Sequence, residues 1–152
     1  MAAGHRSYLP WLLAFRAFST PVAFGVSAML DDARGRVLLV RQRFASGWHF
    51  PGGGVERGEP PAAAIVRELK EEVGLQTFGT PMLHGLYTRT LGVTTNVVAL
   101  YRVRDATIAF RPNAEILEIV WADPSAPPAE TSPATLRRFA ELAGHMPPSP
   151  YW

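Results

Sequence analysis

The chain contains no cysteine. That excludes disulfides and thiolate zinc sites, and it agrees with a reducing compartment, so a cytoplasmic location is expected. Charge is sparse: 18% of the 152 residues are charged, the formal net charge is +2, and no long basic run occurs. Nucleic acid is therefore not an expected partner, because backbone binding rests on clustered Lys and Arg. The nearest thing to a basic cluster is Arg34, Arg36, Arg41 and Arg43, interleaved with valine and leucine. It reads first as a solvated strand face, with anion binding at Arg41 as the sharper alternative.

An unbroken apolar run of membrane-spanning length is also missing. Leu9 to Leu30 approaches one, but Pro10, Arg16, Ser19, Thr20 and Pro21 interrupt it. A spanning helix needs about 20 mostly apolar residues without such breaks. His5 and Arg6 give a weak basic start with no convincing signal peptide after it. No membrane association is expected. Residues of about 1–20 read as an amphipathic N-terminal extension with a helix over about 10–18. That helix is expected to pack on the domain, with a homodimer contact as second choice and a membrane surface as third. No internal repeat or second-domain boundary is visible. A hydrophobic content of 47% suits one domain over 1–152 with a real core. Residues of about 145–152 form a tail broken by proline.

What is present alternates between strand and helix patterns. Asp31-Asp32-Ala-Arg-Gly35 is a turn signal between Val22–Leu30 and Arg36–Arg43, which predicts a hairpin. Met82–Arg89 and Thr94–Val103 read as strands joined near Leu91-Gly92. Ile116–Trp121 reads as a strand with Leu117, Ile119 and Trp121 on one face. Residues 134–143 read as a helix with Leu136, Phe139, Ala140 and Ala143 inward. This mixture predicts an α+β fold, a mixed sheet covered on both faces.

The most informative stretch is Gly53 to Leu75. Pro60 and Pro61 stand where a helix can begin, and Gly74 suits the residue past its end. On that helix Ile65, Leu69 and Val73 form an apolar stripe. Glu68, Glu71 and Glu72 fall at i, i+3 and i+4, so three like charges repel across neighbouring turns. A hard divalent cation with oxygen ligands, Mg²⁺ or Mn²⁺, would relieve that repulsion. The glycines 52–54 before it give a backbone able to approach a phosphate or a metal closely. Arg67 could pair with Glu59 or with a ligating glutamate.

These residues resemble the Nudix hydrolase signature, G-x5-E-x7-R-E-U-x-E-E-x-G-U with U aliphatic, at every fixed position. The flanking Trp48-His-Phe-Pro-Gly-Gly and Glu115-Ile116…Trp121 also look like that family. The resemblance implies a Nudix α/β/α sandwich with a central mixed β-sheet. It implies a Mg²⁺-dependent hydrolase, Mn²⁺ being a substitute, that cleaves a nucleoside diphosphate linked to another moiety by water attack at phosphorus. Glu68, Glu71 and Glu72 then match metal ligands, the Gly53 carbonyl is a further candidate, and Glu59 and Arg67 match structural positions. Catalytic candidates are Glu68 and Glu71 in the signature and Glu115 outside it, with Glu118 behind. Arg41, Trp48, Arg89 and Asn96 are candidate substrate contacts. Markers of other subgroups are missing, which leaves a MutT-like nucleoside triphosphatase as the first reading. ADP-ribose or a nucleotide sugar comes second, and an RNA 5′-end pyrophosphohydrolase third.

Overall fold

The computed structural model describes residues 9–152; His5 and Arg6 lie outside them. The elements in order are α1 (Leu9–Ser19), β1 (Val22–Leu30), β2 (Val37–Gln42), β3 (Trp48–His49), β4 (Gly52–Gly54), α2 (Pro61–Val73), β5 (Leu75–Thr77), β6 (Met82–Leu91), β7 (Thr94–Val103), β8 (Thr107–Ile108), β9 (Ile116–Ala122) and α3 (Pro133–Leu142). A four-stranded sheet runs β4-β1-β7-β6 and a three-stranded one runs β3-β2-β9. The β1–β7 pair is parallel and the other pairings are antiparallel, so the first sheet is mixed.

Alternate strand residues divide between two cores on opposite faces. Val26, Ala28, Leu30, Leu38 and Val40 pack with Ile65, Leu69 and Val73 of α2. Met29, Val37 and Leu39 pack with Trp48, Phe50, Tyr87 and Phe139 of α3. The result is an α+β fold with a mixed sheet, as the sequence pattern predicts, in the α/β/α arrangement that the family resemblance implies. Full burial of Ile65, Leu69 and Val73 contributes roughly 1.5–3 kcal/mol each, an upper bound for a chain already partly collapsed when unfolded. The α2 ends follow the sequence: proline opens the first turn, and Gly74 closes it at φ 67°. A Cβ on Gly74 would stand 2.5 Å from the Ala109 carbonyl oxygen, so space as well as backbone angle requires glycine.

Three expectations are corrected. The turn at 31–36 forms, with Asp32 accepting from the Arg34 and Arg36 amides, but β1 and β2 do not pair as a hairpin. Beyond the Asp31–Val37 bridge they diverge into different sheets. On α3 it is Thr135, Arg138 and Phe139 that turn inward, while Leu136 is exposed. The guanidinium of Arg138 takes the inward place because it lies 4.0 Å from the Tyr87 ring centroid and pairs with Glu141. Finally, α1 does not pack on the domain: none of its residues is buried. Val22 pairs with Thr95 at the far tip of the sheet, so the chain leaves the core before α1. Among the described residues no helix is long and apolar enough to cross a membrane.

Candidate active site

The helix α2 turns Glu68 and Glu72 inward, with 8% and 3% of their surface exposed. They meet the glycine ribbon β4. The Gly52 N–H donates to Glu72 Oε2 at 2.7 Å. A Cβ on Gly53 would fall 2.4 Å from Glu68 Cδ, so only glycine lets the strand come this close. The Gly53 carbonyl oxygen lies 3.3 Å from where a Cβ on Gly25 would stand, so it faces β1 rather than the acids. Glu71 is exposed on the solvent side of α2, one turn from Glu68, and its charge still reaches Glu68.

Arg67 locks loop to helix. It donates to both carboxylate oxygens of Glu59 at 2.9 Å, to Glu68 Oε1 at 2.8 Å and to the Gly54 carbonyl at 2.9 Å, with Glu71 at 3.4 Å. The Arg67 guanidinium holds the Glu59 carboxyl well below its ordinary value, at about 2. The Glu72 carboxyl behaves in the opposite sense. Burial pushes it up to about 7, and the Gly52 amide offsets this only in part, with Glu68 and Glu115 adding repulsion. Burial also raises Glu68, against the pull of Arg67. A buried carboxyl so poised marks a functional candidate.

Glu115 is exposed, on the loop before β9, and its charge reaches both Glu68 and Glu72. Asn113, which the sequence offers only as a loop residue, holds it there. Its side-chain N–H donates to the Glu72 carbonyl at 3.0 Å, while its Oδ1 accepts from the Glu115 and Ile116 amides at 3.0 and 2.8 Å. Asx turns leave a sequence signal, but the tie to α2 spans 41 positions and leaves none. Glu118 points elsewhere, to Arg41 at 3.7 Å.

The donor set of Glu68, Glu72 and Glu115 is all oxygen, and its charge is poorly compensated. That chemistry fits a hard divalent cation. As the side chains stand, no group of three acidic or histidine residues among those described is gathered tightly enough to cage an ion, and Arg67 pairs with Glu68 at 2.8 Å.

A cleft of about 310 Å³ opens beside the ribbon, on the sheet face opposite α2. Arg89 and Asn96 lie directly opposite each other in the β6–β7 register and share its floor. Phe24, Gln42, Phe50 and Trp152 also line it, and Gln42 acts to lower the Glu72 carboxyl against its burial. The remaining two substrate candidates lie outside this cleft. Trp48 is buried in the core under α3. Arg41 stacks 4.7 Å from the Trp48 ring, pairs with Glu118 and Glu130, and lines a neighbouring hollow with Glu130. Trp152 was not legible as a cleft residue, since it returns from the tail.

A family model described as NUDIX domain matches residues 21–142. The RNA pyrophosphohydrolase of Halorhodospira halophila is 51% identical over 51 residues, 34% of this chain and 27% of that protein. The RNA pyrophosphohydrolase of Rhodospirillum rubrum is 41% identical over 59 residues, 38% and 36% of the two chains. The matches thus span well under half the length of these relatives. Among solved structures, the MutT NUDIX hydrolase from Burkholderia pseudomallei has a TM-score of 0.70 at 21% identity, covering 80% of this chain and 98% of that one. The E. coli ORF135 protein has a TM-score of 0.65 at 28% identity, covering 87% and 98%.

Proposed function

The chain belongs to the Nudix family of pyrophosphohydrolases, and on that premise we propose that it is a Mg²⁺-dependent enzyme cleaving a nucleoside triphosphate by water attack at phosphorus. Nudix hydrolases generally use divalent metal ions. The observation that carries the reading is the meeting of two buried glutamates with the Gly52–Gly54 ribbon at the edge of the cleft. Glu68 and Glu72 would hold the ion, with Glu71 or Glu115 completing the set. A bound divalent cation neutralises phosphate oxygens and acidifies a water molecule. Glu115, not buried and not ion-paired among the described residues, is free to accept that water's proton. Arg67 and Glu59 fix the ribbon against α2 so that the acids keep their places. Arg89 and Asn96 orient the part of the substrate remote from the anhydride.

A second reading, the RNA 5′-end pyrophosphohydrolase, is favoured by the names of the sequence relatives. The small cleft and the +2 charge favour a small nucleotide over it. The test is a panel of nucleoside triphosphates, ADP-ribose, a nucleotide sugar and 5′-triphosphate RNA with Mg²⁺ or Mn²⁺, followed by chromatography. Turnover of RNA above that of every free nucleotide would replace the first reading by the second. The lack of cysteine supports a reducing compartment, the cytoplasm, for the reaction. The exposed Trp11, Phe15 and Phe18 of α1 support a second copy of the chain as partner. Together they offer on the order of 500 Å² of aromatic surface, most of one side of a standard interface. Light scattering giving one chain per particle at all concentrations would remove that partner.

A further inference from the structure

The cleft has one wall that the catalytic reading does not use. Residues 149–152 come back across α3 and are fixed there. The Ser149 amide donates to Glu141 at 2.9 Å, and Arg138 donates to the Tyr151 carbonyl at 3.1 Å. The Trp152 N–H donates to the Thr88 carbonyl at 2.9 Å, next to the cleft residue Arg89, and Arg137 donates to the Trp152 oxygen. The indole packs against two further rings. Its ring centroid lies 5.7 Å from Tyr87 and 6.4 Å from Phe50, at tilts of 58° and 55°. Arg138 lies 6.0 Å from it and 4.0 Å from Tyr87. Arg138 is 1% exposed, and its Nε and one terminal nitrogen have no hydrogen-bond partner. Its charge is spent on the aromatic faces and on Glu141 at 2.7 Å.

A buried cation thus sits beside two aromatic rings, Tyr87 and Trp152, and the second of them lines the cleft together with Phe24, Arg89 and Asn96. Resting on the proposed nucleotide reading, we propose that Trp152 is a specificity-determining residue: its indole is the platform on which the substrate's base stacks. Arg138 is its positioning residue. A rigid indole loses little conformational entropy on binding and accepts any base by its π face, and base–aromatic stacking is worth roughly 1–3 kcal/mol. The amide of Asn96 offers both a donor and an acceptor to the base edge. The ligand class is therefore a base-bearing nucleotide, in preference to a sugar phosphate or an inorganic polyphosphate.

The test compares Trp152→Ala and Trp152→Phe on nucleoside triphosphates and on inorganic triphosphate, which has the anhydrides and no base. Trp152→Ala is expected to lower the preference for nucleotide over inorganic triphosphate by about ten- to a hundredfold, through KM rather than kcat. Trp152→Phe should restore most of it. An equal loss on both substrates, or no loss, overturns the proposal. Direct binding separates this from failure of the nucleotide reading. The four nucleoside monophosphates are titrated into metal-free wild-type protein while the Trp152 indole N–H is followed by NMR. A saturable shift of that signal supports stacking whether or not any nucleotide is hydrolysed. If nucleotides are hydrolysed and the signal stays fixed, stacking is wrong and the proposed function stands.

Discussion

Both faces of the four-stranded sheet are covered by a helix that opens on proline and buries charge, and the two helices use that charge in opposite ways. On α3, Arg138 is matched by Glu141, by the Tyr151 carbonyl and by two aromatic faces. On α2, Glu68 and Glu72 are carboxylates buried beside each other, and burial pushes Glu72 up to about 7. Arg67 compensates only one of them at hydrogen-bond distance. A buried charge matched by an opposite charge holds a structure together. One left short of opposite charge costs stability, and persists where a ligand supplies it.

The comparison breaks if Arg138 proves dispensable. Arg138→Ala leaves Glu141 buried without its partner and removes the support of Tyr87 and Trp152. A loss of about 3–5 kcal/mol is expected, the usual cost of breaking a buried pair from one side. Denaturant unfolding measures it. A loss below about 1 kcal/mol would mean that the aromatic faces and the tail hold without the cation.

For α2 the expectation runs the other way. Glu72→Gln should cut turnover at least about a hundredfold, roughly 2.7 kcal/mol of barrier, while the metal-free protein becomes no less stable. The sign follows from the raised carboxyl. Folded Glu72 binds its proton more tightly than the unfolded group, whose ordinary value is 4.5. Metal-free stability then falls as pH rises from about 4.5 through about 7. Thermal melts across that range should show the fall in wild type and a smaller one in the variant, where Glu68 keeps its own raised carboxyl. Mg²⁺ should raise the melting temperature of wild type at pH 7 and do so far less for Glu72→Gln. Near-normal turnover in the variant at saturating Mg²⁺ would sink the metal assignment.

The same contrast explains what the sequence disclosed. The α2 site is built from near neighbours: Arg67 reaches Glu59 eight positions away, and Glu68 and Glu72 are one turn apart. Spacing therefore carries it, down to the Gly74 cap. The cleft draws on β1, β2, β3, β4, β6, β7, α3 and residue 152, and no spacing rule joins them. Arg89 and Asn96 were legible because a hairpin brings them together. Trp152 and Asn113 were not, because their partners lie far away in the chain. On α3 a periodicity count places Leu136 inward, but a cation matched by two rings outcompetes it. The hairpin reading of 22–43 failed for a similar reason, since a turn signal fixes the turn and not the strands' later partners.

A smaller effect sharpens the comparison at its loop edge. Glu115→Gln should lower turnover about tenfold or more, flatten the acid limb of the pH profile and leave substrate affinity nearly unchanged. Asn113→Ala should act in the same direction more weakly, because it frees the loop without removing the carboxylate. A Glu115→Gln profile that overlays wild type would return the base role to Glu68 or Glu71.

The mildest expected effect concerns Glu59, the one carboxylate of the α2 side whose compensation is complete. It has two hydrogen bonds from Arg67 and one from the Glu56 amide. It should therefore behave as the α3 pair does, as structure. Its folded-state value is depressed from 4.5 to about 2, so the folded protein releases this proton more readily than the unfolded chain. The stabilisation is fully present above pH 4.5 and is lost as pH falls through about 2. Glu59→Gln keeps the size and removes the charge, so it removes this acid-sensitive contribution. The acid-unfolding midpoint, followed by circular dichroism, should rise by roughly half a pH unit. Turnover of the folded variant at neutral pH should fall only a few-fold, since Arg67 still reaches Glu68 and the Gly54 carbonyl. A loss of turnover as large as that of Glu72→Gln, with an unchanged acid midpoint, would place Glu59 among the reacting groups and erase the division between matched and unmatched charge.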